Sequence, residues 1–307
     1  MNYEESREHH FVPQFLLRSW AVNGVLMGYW WDSRRSALVC KRKGPRAFGW
    51  QLGLLTLRAH KLGRDALERI FFGEVDTKGA YACSLLIKYG PSALNEDQRC
   101  DFARLLLSLE IRRPPIVATL RDSGRRHIAE ALDSDPEILE AMALKNLAIL
   151  PSKFVEGNLG VSLEDYALGT IQQLVDNPHI GTKLINALWH IVRLGPDDGS
   201  LLLADRPLIR LHAYDAPGAT WMLPLNPKTA FVAVNHLENL RRIKNASPYR
   251  FAKKINVLSA RQTERFVFCA DAQHERWIGK HLSDPLRNTR DSRNISSLKA
   301  AHPLPRS

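Results

Sequence analysis

The chain has 307 residues, 45% of them hydrophobic and 24% charged, an ordinary globular composition that can bury a sizeable core. No apolar run approaches the ~18 residues that a membrane helix needs, and the Met1–Glu8 start has neither the basic region nor the apolar stretch of a secretory signal, so a cytoplasmic protein without a membrane partner is expected. The formal net charge is +11 and unevenly spread: Ser33 to Arg64 holds nine Lys or Arg and no acid, and Arg250 to Ser307 holds twelve basic against five acidic residues, a field that attracts polyanions.

Along the chain, His9-His10-Phe11-Val12-Pro13-Gln14 runs into an apolar stretch, and Phe11 to Leu17 reads as extended. Asn23-Gly24 is a strong turn dipeptide. Val25 to Trp31 and Ala37 to Lys41 predict a hairpin about the polar Asp32-Ser33-Arg34-Arg35 turn. Leu67, Ile70, Phe71, Val75, Ala82, Leu85 and Leu86 recur near helical period over Asp65 to Tyr89, with Gly73 and Gly79 as places for a kink. Asn95 with Gln98 forms a capping box before the stripe Phe102, Leu105, Leu106, Leu109, and Pro114-Pro115 ends that helix. Asp135 caps a helix from Pro136 to Leu150. Ser162 with Asp165 starts another that ends near Asp176.

Beyond it the period shortens. Trp189 to Leu194, the turn Gly195 to Gly199, and Ser200 to Ala204 read as strand, turn, strand. Thr220 to Leu225 and Thr229 to Val234 add two strands, and helices follow over Pro248 to Ala270 and His274 to Leu282. The expected fold is α+β: a mainly helical single domain over 1–282 with a small antiparallel sheet, then a basic, flexible tail over 283–307. Cys40, Cys83, Cys100 and Cys269 are too widely spaced for a zinc knuckle or redox pair and read as buried free thiols.

Several segments carry a family resemblance. The opening His9-His10-Phe11-Val12-Pro13-Gln14-Phe15-Leu16-Leu17-Arg18 resembles the start of the family named domain of unknown function 4238. In the family's order follow Phe72-Gly73-Glu74 on a helix, Arg112-Arg113-Pro114 at a helix end, Leu203-Ala204-Asp205-Arg206-Pro207-Leu208 as the Asp-x-Pro strand, Leu223-Pro224-Leu225-Asn226-Pro227 as the Pro-Leu-x-Pro segment, and Asn256 before Phe266-Val267-Phe268 in the closing helix. Ala204 stands where a serine commonly precedes the aspartate. The resemblance covers roughly residues 9 to 282 and implies no defined activity.

The chemistry-bearing candidates are His9 and His10 as general base or metal ligand, Glu74 and Asp205 as carboxylates that hold a divalent ion or orient that histidine, and Arg113 as a stabiliser of negative charge. The candidate cofactor is a divalent metal held by His10, Glu74 and Asp205. Glu68, six residues from Glu74, is some 120° away on a straight helix and reads as solvent-facing. Arg34, Arg35, Lys41, Arg42 and Lys43 form a basic rim suited to nucleic acid or another polyanion, and Trp30-Trp31 beside it offers either stacking faces or core packing. A His-Asn-His nuclease finger matches only in its first element, and phosphate-loop, dinucleotide, nucleophile-elbow and zinc-helix patterns are absent. The expectation is a hydrolase of nuclease or phosphodiesterase type. The alternatives are a non-enzymatic nucleic-acid binder whose polar cluster is structural, or a regulatory or defence protein that docks a protein.

Overall fold

The structure is a computed structural model and describes residues 7–58 and 60–283. The fold is α+β, mainly helical with small antiparallel sheets. The chain begins with β1 (Glu8–His10), α1 (Gln14–Arg18), β2 (Leu26–Asp32), β3 (Ala37–Lys43) and β4 (Trp50–Leu52). A π-helical run, Leu67–Phe72, leads into α2 (Gly73–Tyr89), then α3 (Glu96–Ile111) and α4 (Pro114–Thr119). A second π-helical run, Leu120–Gly124, precedes α5 (Arg125–Ser134), α6 (Pro136–Leu144), α7 (Pro151–Asn158), α8 (Leu163–Val175) and α9 (Pro178–Asn186). The remainder is β5 (Leu188–Arg193), β6 (Leu203–Ala204), β7 (Ile209–Leu211), β8 (Thr220–Asn226), β9 (Thr229–Val234), α10 (Leu237–Asn245), α11 (Pro248–Gln262), β10 (Val267–Cys269) and α12 (Glu275–Leu282). None of the helices among the described residues is long and apolar enough to cross a membrane.

Within this fold the chain forms two compact units. Of the described residues, the first comprises 7–11, 50–78 and 104–178, and the second comprises 12–49, 79–103 and 179–283. Two of the boundaries fall inside α2 and α3, where no composition shift marks them. In the first unit β1 pairs with β4, helices α4, α5 and α8 pack around the second π-helical run, and α7 packs on α5. Arg121 moors its loop 53–56 by donating to the carbonyls of Gly53, Leu54 and Thr56 and to the Glu164 carboxylate.

The second unit holds two four-stranded antiparallel sheets, ordered β3-β2-β10-β6 and β5-β9-β8-β7. Leu240, Phe251, Ala252 and Ile255 of α10 and α11 close one face of the latter. Ile278 and Leu282 of α12 close the former over Tyr29, Leu202, Val267 and Cys269. Gly28 on β2 lies directly beneath the Phe48 ring, where a Cβ would come within 2.5 Å of a ring carbon.

Much of the predicted order is present. The 22–25 turn forms with Asn23 and Gly24 both at positive φ. The β2–β3 and β8–β9 hairpins form, as do the Asn95–Gln98 capping box and the Asp135 and Ser162 caps. The helix begun at Pro136 stops at Leu144, where Asn146 turns to positive φ. Three local readings are corrected. Residues 14–18 are helical, because Pro13 opens a turn that buries Leu16 and Leu17. β5 and β6 do not form a hairpin: β5 pairs with β9 and β6 with β10. The helix from Pro248 ends at Gln262, and Val267–Cys269 is a strand inserted between β2 and β6. Apolar runs of this length fit a buried strand or a helix, and the neighbouring strands decide. The predicted tail lies outside the described residues beyond Ser283.

Candidate functional site

The paired histidines divide as adjacent strand residues must, one to each face of β1. His9 is fully buried, and its Nδ1 accepts the Leu55 backbone N–H at 2.7 Å. That nitrogen is committed to holding the 53–56 loop. His10 is half-buried. Its backbone N–H donates to Glu68 Oε1 at 2.8 Å, and its Nδ1 lies 3.5 Å from the same oxygen. His10 Nε2 and Glu68 Oε2 are both buried without a hydrogen-bond partner. The backbone hydrogen bond and the Nδ1 contact set the His10 ring beside the Glu68 carboxylate.

The carboxylate partner is thus Glu68, whereas the sequence pointed to Glu74. The Glu74 side chain is 53% exposed and pairs with Lys78 at 2.6 Å one helical turn on, a surface contact that pulls its carboxyl below the usual range. The Glu68 side chain is only 17% exposed. Glu68 sits in the π-helical run, where each residue advances less than the ~100° of an α-helix. The two acids stay on different faces with either period, and Glu68, not the expected Glu74, is the inward one. Nothing in the residue pattern announces the π turn, although such insertions recur at functional sites.

Asp205 is likewise reassigned. It lies in the second unit at the end of β6, 1% exposed. Its Oδ1 accepts the Glu264 N–H at 2.9 Å, and its Oδ2 accepts those of Arg265 and Phe266 at 2.7 and 2.8 Å. Both oxygens are consumed in closing the turn between α11 and β10. Arg113 is buried where α3 gives way to α4, its Nε donating to the Glu110 carbonyl. Of the expected metal ligands, Glu74 is engaged by Lys78, and both oxygens of Asp205 are engaged by backbone N–H groups. Among the described residues no three His, Cys, Asp or Glu side chains are grouped to hold a metal ion.

The basic rim takes a definite form in the second unit. β3 is an edge strand of its sheet. Lys41, Arg42 and Lys43 on it are exposed, as are Arg34 and Arg35 in the hairpin turn. Asp32 engages Arg35 at 3.7 Å. Arg34, Lys41, Arg42 and Lys43 have no ion-pair partner among the described residues. Alternation places Lys41 and Lys43 on one face and Arg42 on the other, and Lys41 Nζ lies 5.8 Å from the Phe48 ring centre. Trp30 meets Phe266 edge-on and Trp31 packs against the Tyr29 cluster, so both tryptophans serve the core first. An open depression of about 320 Å³ also lies in this unit, lined by Thr182, Lys183, Asn186, Tyr214, Asp215 and Asn235. Asp215 pairs there with Lys183.

The family model described as Protein of unknown function (DUF4238) matches residues 8–273. The chain belongs to that family. No curated protein and no solved structure matches it.

Within this DUF4238 chain the segments that carry the resemblance act as polar staples on the backbone. His9 holds Leu55, and Gln14 Nε2 donates to the carbonyls of Pro45 and Phe48. Arg112 is fully buried and donates both terminal nitrogens to Asp76. Asp205 holds three N–H groups. Asn256 on α11 accepts the Leu202 N–H and donates to the Ser200 carbonyl, both at 2.9 Å. Each satisfies groups that would be costly to bury unpaired.

Proposed function

We propose that this protein is a non-enzymatic nucleic-acid binder, which contacts the phosphate backbone through the β2–β3 hairpin. The observation that carries the reading is the row Lys41, Arg42, Lys43 on an exposed sheet edge, with Arg34 beside it, all without a carboxylate partner among the described residues. A net charge of +11 adds long-range attraction for such a polyanion. Four free thiols fit a reducing compartment, and we place the binding in the cytoplasm. Cations on an edge strand also deter strand-to-strand aggregation, and salt dependence separates the two roles. Neutralising Lys41, Arg42 and Lys43 together to Gln is expected to weaken binding of mixed-sequence DNA or RNA some 10–100-fold. It should also flatten the plot of log K against log salt by about 3, close to one per cation removed. Fluorescence anisotropy over a salt series measures both, and an unchanged slope would remove the hairpin from the interface.

A second reading is favoured by His10 alone. Its Nε2, oriented through Glu68 and left without a partner, suits general-base hydrolysis of a phosphodiester. If so, His10→Ala abolishes and Glu68→Gln strongly reduces cleavage of mixed nucleic acids assayed with Mg²⁺ or Mn²⁺. Equal turnover in wild type and both variants would dismiss it.

A further inference from the structure

α11 carries a second cationic feature of the same unit. From Asn239 to Thr263 the chain contains no acid. Over that stretch α10 exposes Arg241, Arg242 and Lys244, and α11 exposes Arg250, Lys253, Lys254 and Arg261. Among the described residues, Arg242 alone of these pairs with a carboxylate, Glu238, at 3.3 Å. At about 100° per residue the four α11 cations fall within about 100° of the helix circumference, so they form one stripe. At ~1.5 Å per residue the stripe from Arg250 to Arg261 is about 16 Å long.

The stripe is held facing solvent from behind. Phe251, Ala252 and Ile255, on the opposite side of α11, are buried in the cluster over the β5-β9-β8-β7 sheet. Asn256 ties the same side to Ser200 and Leu202. Like charges three and four residues apart destabilise a helix, and α11 contains no acid to offset Arg250, Lys253 and Lys254. Arg261 suits the C-terminal end of the helix dipole, but the Arg250, Lys253 and Lys254 cluster breaks a local rule without such a return, which points to a function. α12 packs against both β3 and α11. It exposes Arg276 and Lys280, with Glu275 beside them, and so links the stripe to the hairpin.

We propose that the α11 stripe is a docking face for the backbone of duplex nucleic acid. The proposal rests on the nucleic-acid reading above but not on the hairpin itself. A stripe of about 16 Å matches roughly five steps of a duplex at ~3.4 Å each. The four cations supply sequence-independent phosphate contacts from a rigid element, so affinity follows salt and not base sequence. The test titrates full-length protein into a fluorescein-labelled random-sequence DNA duplex across a salt series. Lys253→Gln/Lys254→Gln is compared with the hairpin triple variant and with Arg126→Gln/Lys145→Gln, an exposed pair in the first unit. The expected result is about a tenfold rise in Kd and a slope lowered by about 2 for the α11 variant, with the control unchanged and the circular dichroism spectrum of each intact. If the hairpin variant lowers the slope and the α11 variant does not, the stripe is excluded while nucleic-acid binding stands. If the wild-type protein binds no duplex at low salt, both readings fall. If the α11 variant loses only binding to phosphatidylserine vesicles, the occupant is an anionic membrane surface and the proposal is overturned.

Discussion

Asp205→Ala is expected to lower the free energy of unfolding by about 3–5 kcal/mol near pH 4.5, measured by urea titration. The substitution strands the N–H groups of Glu264, Arg265 and Phe266 in a site that is 1% exposed. Each buried donor without a partner costs about 1–3 kcal/mol, and some relaxation brings the sum down. Asp205→Asn keeps one acceptor oxygen and should lose about half as much. The pH dependence has a definite sign. Burial pushes the Asp205 carboxyl up from 3.8 to about 6, against the opposite pull of the N–H groups. The folded protein therefore holds a proton that the unfolded chain has released between those values. That share of stability is complete below the unfolded value and is lost as pH rises through about 6. It amounts to about 3 kcal/mol in full, of which about 2 disappears between pH 4 and 7.5. The gap between wild type and Asp205→Asn should narrow by that amount. A gap that stays constant over this range would mean that the N–H groups outweigh burial.

Asp76→Ala should cost a comparable 3–5 kcal/mol. Arg112 is fully buried, donates to Asp76 at 3.1 and 2.7 Å, and lies 5.2 Å from the Phe72 ring centre. Removing the aspartate leaves a guanidinium with no compensating charge in the interior of the first unit, and its Nε already has no partner. The double variant Asp76→Leu/Arg112→Met removes both charges and should recover most of the loss, because a buried pair is often no more stabilising than apolar side chains of similar volume. A double-mutant cycle in urea measures the coupling. Single variants within 1 kcal/mol of wild type would show that the pair is solvated and not structural.

These two aspartates show where reading residues along the chain succeeds and where it stops. The Asp205 segment stands out through its apolar run and its Arg-Pro step, and family order strengthens it. The same pattern serves a catalytic aspartate and a turn-closing one equally well. The choice lies with three backbone N–H groups about 60 residues away. On α2 and the π-helical run before it, the acids Glu68, Glu74 and Asp76 differ little by type. Placing Glu68 inward and Glu74 outward depends on β1, which brings His10 against Glu68, while Glu74 pairs with Lys78 one turn on.

The amino-acid sequence alone determines what depends on near neighbours: the caps at Asn95, Asp135 and Ser162, the Asn23-Gly24 turn, the β2–β3 and β8–β9 hairpins, and the basic excess that the hairpin displays. Family membership also follows from it, through ordered segments. Tertiary structure alone decides which strands pair across long loops, which of two adjacent histidines is committed to the backbone, and which carboxylate reaches His10. The physical reason is range. Caps and tight turns are closed by hydrogen bonds over a few residues, whereas burial and long-range pairing depend on what the rest of the chain places alongside.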